Sequence, residues 1–150
     1  MLTLTLQRVR IRAWSGFKGA DDGFLPADCC LLQPDAAESL KEIQDACGQT
    51  VTFKAAFTSV ASHLLAVSKG IDRDYARPTQ SGHNFGMSLD VAVDETLAAF
   101  MASKRPDLMT AGRDLGSFSR WIRQFGWHGV KAETGHFDHL AGHETVLARI

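Results

Sequence analysis

Apolar and polar residues alternate at the start of the chain. Leu2, Leu4 and Leu6 are separated by Thr residues, and after Gln7 the apolar parity shifts to Val9 and Ile11. A period of two predicts a β-strand or hairpin arm over residues 2–11. Residues 15–30 are rich in Gly, Asp and Pro, which predicts a loop. The period then lengthens. Leu40, Ile43 and Cys47 recur at helical spacing, with Asp35 and Glu38 read as a capping box and Gly48 as the stop. Residues 51–57, VTFKAAF, contain β-formers and no breaker and predict a strand. A second helix is predicted over 59–69, with Val60, Leu64 and Val67 as one face and Gly70 as its end. His63 lies within it and is read as a surface or core-edge histidine, because no ligand partner is near it in sequence.

A polar connection with Pro and Gly, residues 70–82, leads to a strand over 88–93. Period two places Leu89, Val91 and Val93 on one face and Ser88, Asp90 and Ala92 on the other. Asp94 is expected to cap a short helix bearing Leu97, Phe100 and Met101, and Ser117 to cap the next. In that next helix Phe118, Trp121, Ile122 and Phe125 fall at i, i+3, i+4 and i+7, a stripe that belongs in a core. Trp127–Val130 is read as a short strand or turn, and His136–Leu140 as a final strand. There His136 and Asp138 share a face opposite Phe137 and His139. No internal repeat, low-complexity segment or domain boundary interrupts the pattern, so residues 1–150 read as one domain.

Composition narrows the function classes. A 150-residue chain with 45% apolar and 22% charged residues is long enough to bury a core. Its net charge of −1 provides no electrostatic case for nucleic acid or an anionic membrane as partner. No apolar run approaches the roughly 18–20 residues that span a bilayer. The N-terminus, MLTLTLQRVRIRAW, carries Arg within its alternation and lacks the continuous apolar segment of a signal peptide. Cys29, Cys30 and Cys47 form an odd set with no CxxC spacing, which predicts buried or inert thiols rather than a disulfide framework or thiolate metal site.

The chemistry concentrates in two short stretches, Ser81–Asp90 (SGHNFGMSLD) and Glu133–His136 (ETGH). His83 precedes the 88–93 strand, and Gly86 between them permits a tight path that returns the imidazole toward Asp90. Two His and one Asp suffice to hold a catalytic zinc with a fourth position open. On spacing, His83, Asp90 and His136 are the candidate ligands, and Glu133 is left over as a general base. His139 and His143 are rival ligands, but a strand turns His139 away from His136. Asp138 shares the face of His136 and either holds the imidazole tautomer or is simply solvated. His128 follows a helix end and is assigned no catalytic role. A structural zinc domain would need four protein ligands, and only three are found.

SGHNFGMSLD resembles the SxHxxGxAxD motif of the M15 zinc peptidases, the D-alanyl-D-alanine carboxypeptidase and dipeptidase family, with Ser88 where that pattern has Ala. FGWHGVKAETGHF resembles the corresponding end of the phage-endolysin branch. The resemblance covers roughly residues 35–140. It implies an α+β fold, a small antiparallel sheet with helices packed on one side, of the Hedgehog and M15 type. It implies zinc on His83, Asp90 and His136, Glu133 as the base, and contact of Ser81 with substrate. The substrate class implied is the peptidoglycan stem peptide, cut by an endopeptidase of L-alanyl-D-glutamate type. A D,D-carboxypeptidase and a non-catalytic zinc-binding module on the same scaffold are the alternatives. The family's Arg in a Ser-Gly-Tyr-Arg-like turn is missing from Thr58–Ser62; either Arg73 or Arg77, which otherwise read as solvated loop cations, takes its place at the substrate, or that electrostatic help is absent. The expected protein is a monomer made in the cytoplasm, reaching the bacterial wall by phage-type release or another export route.

Overall fold

A computed structural model describes residues 5–48, 50–70, 81–103, 114–130 and 133–139. The chain runs β1 (Gln7–Arg8), β2 (Leu31–Leu32), α1 (Pro34–Cys47), β3 (Phe53–Ala55), α2 (Val60–Ser68), β4 (Ser88–Val91), α3 (Val93–Ala102), α4 (Leu115–Arg123), β5 (Trp127–Val130) and β6 (Glu133–His139). One-turn 3₁₀ helices at Ala27–Cys29 and Gly82–Phe85 join them. The fold is α+β. A four-stranded antiparallel sheet has the order β3-β4-β6-β5, and β1 and β2 form a separate antiparallel pair.

The core lies on one face of the larger sheet. Phe53, Leu89, Val91, Trp127 and Phe137 from the strands meet Leu40 and Ile43 of α1, Phe100 of α3, and Phe118 and Ile122 of α4. Fully burying a Leu or Phe side chain is worth about 1.5–3 kcal/mol, so this shared layer is the main adhesive between helices and sheet. Trp127 is fully buried, and its indole N–H donates to Ser39 Oγ at 2.9 Å. The shifted N-terminal parity is also observed: Val9, Ile11 and Ala13 are buried, while Arg8 and Arg10 are exposed. Leu2 and Leu4 lie outside the described residues. Cys30 and Cys47 are buried and all three thiols are free; burial pushes the Cys47 thiol up to about 11.

Several boundaries differ from the sequence reading. The first helix starts at Pro34 after Gln33, so Asp35 lies in its first turn rather than at the cap. Proline suits that position because its missing N–H would have no helical acceptor. Ala92 precedes α3, which puts Asp94 inside the first turn. The cap of α4 is Asp114, whose carboxylate accepts from Ser117 N at 2.7 Å. The last strand begins at Glu133 rather than His136. The largest difference concerns α2. Ser59 caps it as expected, but Val60, Leu64 and Val67 face solvent, with Leu64 58% exposed, while His63 is 3% exposed. Apolar residues surround this short helix, so periodicity alone does not select its inner face. Its inward residue instead meets the 3₁₀ turn, with His63 Nδ1 3.4 Å from Asn84 Oδ1.

Candidate metal centre

The sheet face opposite the core carries the polar residues. His83 sits in the 3₁₀ turn Gly82–Phe85, whose start is capped by Ser81 Oγ accepting from His83 N at 3.2 Å. Gly86 ends the turn at φ +70°, and a Cβ there would lie 2.6 Å from Leu6 Cδ2 and 3.1 Å from Gln33 N. That left-handed residue sends the chain into β4, where Ser88 and Asp90 point to the polar face and Leu89 and Val91 to the core. In the β4–β6 register Asp90 lies opposite His136, and Ser88 opposite Asp138.

Glu133 and His136 are three residues apart, which on a regular strand would place them on opposite faces. The alternation is broken near the tip of the β5–β6 hairpin. The register shifts between Gly129 and Val130, and Gly135 has φ +84° with no room for a Cβ, which would lie 2.8 Å from Val91 O. The kink brings Glu133 Oε2 to 3.8 Å from His136 Nε2.

Three donors converge. Asp90 Oδ1 lies 3.2 Å from His83 Nε2 and 2.9 Å from His136 Nδ1, and the two imidazoles meet edge to face with centroids 5.0 Å apart. The other nitrogen of His83, Nδ1, is held by Ala56 O in a short contact. The other nitrogen of His136, Nε2, is 2.9 Å from Asp138 Oδ1. Burial raises the Asp90 carboxyl, but hydrogen bonds and charge from His136 and His83 outweigh it and hold the group well below the usual carboxylate range. Burial disfavours the His136 imidazolium, but hydrogen bonds to Asp138 and Asp90, with their charges, override this and raise it to about 10.

Metal ligation fits these residues. One atom each from His83, Asp90 and His136 lies within 4.8 Å of the others, the one such group among the described residues. Ligand atoms about 2.0–2.1 Å from a tetrahedral zinc sit roughly 3.3 Å apart, close to the two spacings around Asp90. Nitrogen and carboxylate donors suit zinc, and three of them leave a position open.

The remaining candidates fall around this trio. Ser81 is buried, with its hydroxyl engaged at His83 N. Arg73, Arg77 and His143 lie outside the described residues. His139 is buried against Trp127 on the core face, as its strand parity required. His128 lies opposite Asp138 in the β5–β6 register, within the sheet rather than at a helix end. A cleft of about 260 Å³ is lined by Glu133 and His136, by Ser119 and Arg123 of α4 and by Phe137 of the core face, but by neither His83 nor Asp90. Arg123 was not selected from sequence.

No protein-family model matches the sequence, and no curated protein matches it. Solved structures do match. The chain is similar to the LdcB LD-carboxypeptidase, whose structure is described as revealing the molecular basis of peptidoglycan recognition. The TM-score is 0.55 and the identity 13%, over 97% of this chain and 73% of that one. The vancomycin-resistance D,D-dipeptidase VanXYg, in complex with a D-Ala-D-Ala phosphinate analogue, aligns with TM-score 0.48 and 18% identity over 93% of this chain and 59% of that one. At 13% identity the likeness to LdcB is one of fold, and it agrees with the α+β architecture expected from the sequence.

Proposed function

We propose that the chain is a zinc-dependent peptidase acting on bacterial peptidoglycan stem peptides. The observation that carries this reading is the convergence of His83 Nε2, Asp90 Oδ1 and His136 Nδ1 on one point of the polar face, with Glu133 Oε2 3.8 Å from His136 Nε2. The motif resemblance and the fold likeness to an LD-carboxypeptidase point to the same substrate class. His83, Asp90 and His136 would hold the zinc, which would supply Lewis acidity toward the scissile carbonyl and the attacking water. Glu133 takes the proton of the attacking water and returns it to the leaving amine. At 3.8 Å from His136 Nε2 it is beyond hydrogen-bond range of that ring, whereas Asp138 at 2.9 Å is within it. One carboxylate is therefore committed to the imidazole and the other is available to move a proton.

The finer assignment is an endopeptidase of L-alanyl-D-glutamate type. The fold likeness to LdcB favours the carboxypeptidase reading as the second. Purified cell walls and defined muropeptides separate the two: new D-glutamyl N-termini mark the endopeptidase, and free D-alanine marks the carboxypeptidase. Metal analysis alongside Glu133→Ala tests the shared mechanism. Zinc should stay bound while hydrolysis drops by about 10²–10⁴-fold. Equal hydrolysis by both proteins removes the base assignment and favours another proton acceptor. Absence of zinc from the wild type removes the centre altogether, and zinc binding without any hydrolysis leaves a non-catalytic module.

A further inference from the structure

The polar face holds a hydroxyl and a carboxylate that the hydrolytic chemistry does not use. Ser88 is fully buried, and its Oγ donates to Asp138 Oδ1 at 2.5 Å. The same oxygen lies 2.9 Å from His136 Nε2. Ser88 and Asp138 are directly opposed in the β4–β6 register, so the backbone ladder itself sets their separation. Gly82 closes the arrangement from the 3₁₀ turn: a Cβ there would lie 1.9 Å from Ser88 Oγ and 3.0 Å from Asp138 Oδ1. The turn that presents His83 thus leaves room for this hydroxyl only because residue 82 has no side chain. Ser88 is also the position at which the chain departs from the SxHxxGxAxD pattern, where Ala would provide no donor.

The consequence concerns which nitrogen of His136 faces the centre. In the neutral imidazole, the form that binds zinc, donation from Nε2 to a carboxylate leaves the lone pair on Nδ1 and fixes the ring plane. Nδ1 is the nitrogen that faces Asp90 at 2.9 Å. Asp138 is kept in place in turn by the Ser88 hydroxyl on the opposite strand.

We propose that Ser88 and Asp138 are a positioning pair that presents His136 to a bound zinc through Nδ1, with Gly82 as the residue that makes room for the pair. This rests on reading His136 as a zinc ligand. Ser88 and Asp138 lie outside the group of three donors His83, Asp90 and His136. Their effect passes through the imidazole, and the chain uses Ser88 for a purpose that Ala could not serve.

The test uses the full chain and zinc alone. Long-range ¹⁵N–¹H spectra of the zinc-loaded wild type should show His136 protonated on Nε2 and metal-bound through Nδ1. Zinc bound through Nε2 overturns the proposal without any variant being made. Competition with a chromophoric chelator should then show Asp138→Ala weakening zinc about 10–100-fold. Asp138→Asn, which keeps an acceptor oxygen, should recover part of that loss. Ser88→Ala should weaken zinc about three- to tenfold, as for a lost hydrogen bond. Thermal unfolding of the metal-free variants separates a folding defect from a ligation defect, and Ser88→Ala serves if Asp138→Ala does not fold. Zinc affinities within twofold of wild type in folded Asp138 and Ser88 variants overturn the positioning role while leaving the ligand assignment intact. If His136→Ala binds zinc as tightly as wild type, the underlying site reading has failed instead, and this proposal with it.

Discussion

β4 and β6 have two faces that obey different physics, although their residues alternate along the same backbone. On one face Leu89, Val91 and Phe137 are buried with Phe118 and Ile122, and any apolar group of about the right volume would serve. On the other, Asp90, His136, Asp138 and Ser88 form hydrogen bonds of 2.5–2.9 Å whose donors and acceptors must match one by one. The first face holds the fold together. The second places buried and half-buried charge, which costs stability unless each group has its partner. A centre of this kind is held because the face behind it is well packed, not because its own ion pairs are strong.

Adjacent residues on β6 give the sharpest way to break that comparison. Phe137→Ala should destabilise the protein by about 3–5 kcal/mol, measured by denaturant unfolding. His136→Ala should abolish zinc binding and leave the metal-free protein folded. Loss of folding in His136→Ala, or loss of zinc with unchanged stability in Phe137→Ala, would show that the two faces do not divide these tasks.

Gly135 links the faces, since its kink brings Glu133 to the polar side. Gly135→Ala combines an unfavourable φ of +84° with a Cβ 2.8 Å from Val91 O. It should cost about 1–3 kcal/mol and lower hydrolysis more than zinc affinity, because Glu133 moves while the ligands remain. Equal losses in both would place the kink's role in holding the ligands themselves.

The polar face also predicts a pH dependence for the metal-free protein. His136 is raised from 6.5 to about 10 in the folded state. A raised pKa contributes stability that is fully present below about pH 6.5 and is lost as pH climbs through about 10. Unfolding midpoints of chelator-treated protein should fall over this window, and the fall should be shallower in His136→Asn. Identical slopes would remove the ion-pair account of this face. The smallest effect is expected at α2: Leu64 is 58% exposed, so Leu64→Lys should change stability by no more than about 0.5 kcal/mol. A larger loss would mean that this helix buries its apolar side against something.

How much of this was legible in the sequence varied with the strength of the local pattern. The stripe of α4 and the alternation of β4 were readable because many apolar positions agreed on one direction. The inner face of α2 was not, because its apolar residues point nearly all round and the choice fell to a contact between His63 and Asn84 across 21 residues. Helix starts slipped by two to three residues where Gln33, Ala92 and Asp114 displaced the expected caps Asp35, Asp94 and Ser117. His83, Asp90 and His136 were selected from spacing and residue chemistry, and strand parity correctly put His139 in the core.

By itself, then, the sequence determined the helix and strand periods, the core stripe and the choice of His83, Asp90 and His136 as candidate donors, because periodicity and ligand chemistry are local properties. Only the tertiary structure decided which nitrogen of each imidazole faces Asp90, that Asp138 rather than Glu133 holds His136, and that Ser88 has a partner. Those depend on the β4–β6 register and the kink at Gly135. Hydrogen bonds distinguish the 2.9 Å of Asp138 from the 3.8 Å of Glu133 at His136, and the contacts Asp90–His136 and Ser88–Asp138 are set across 46 and 50 residues of sequence by the folded chain alone.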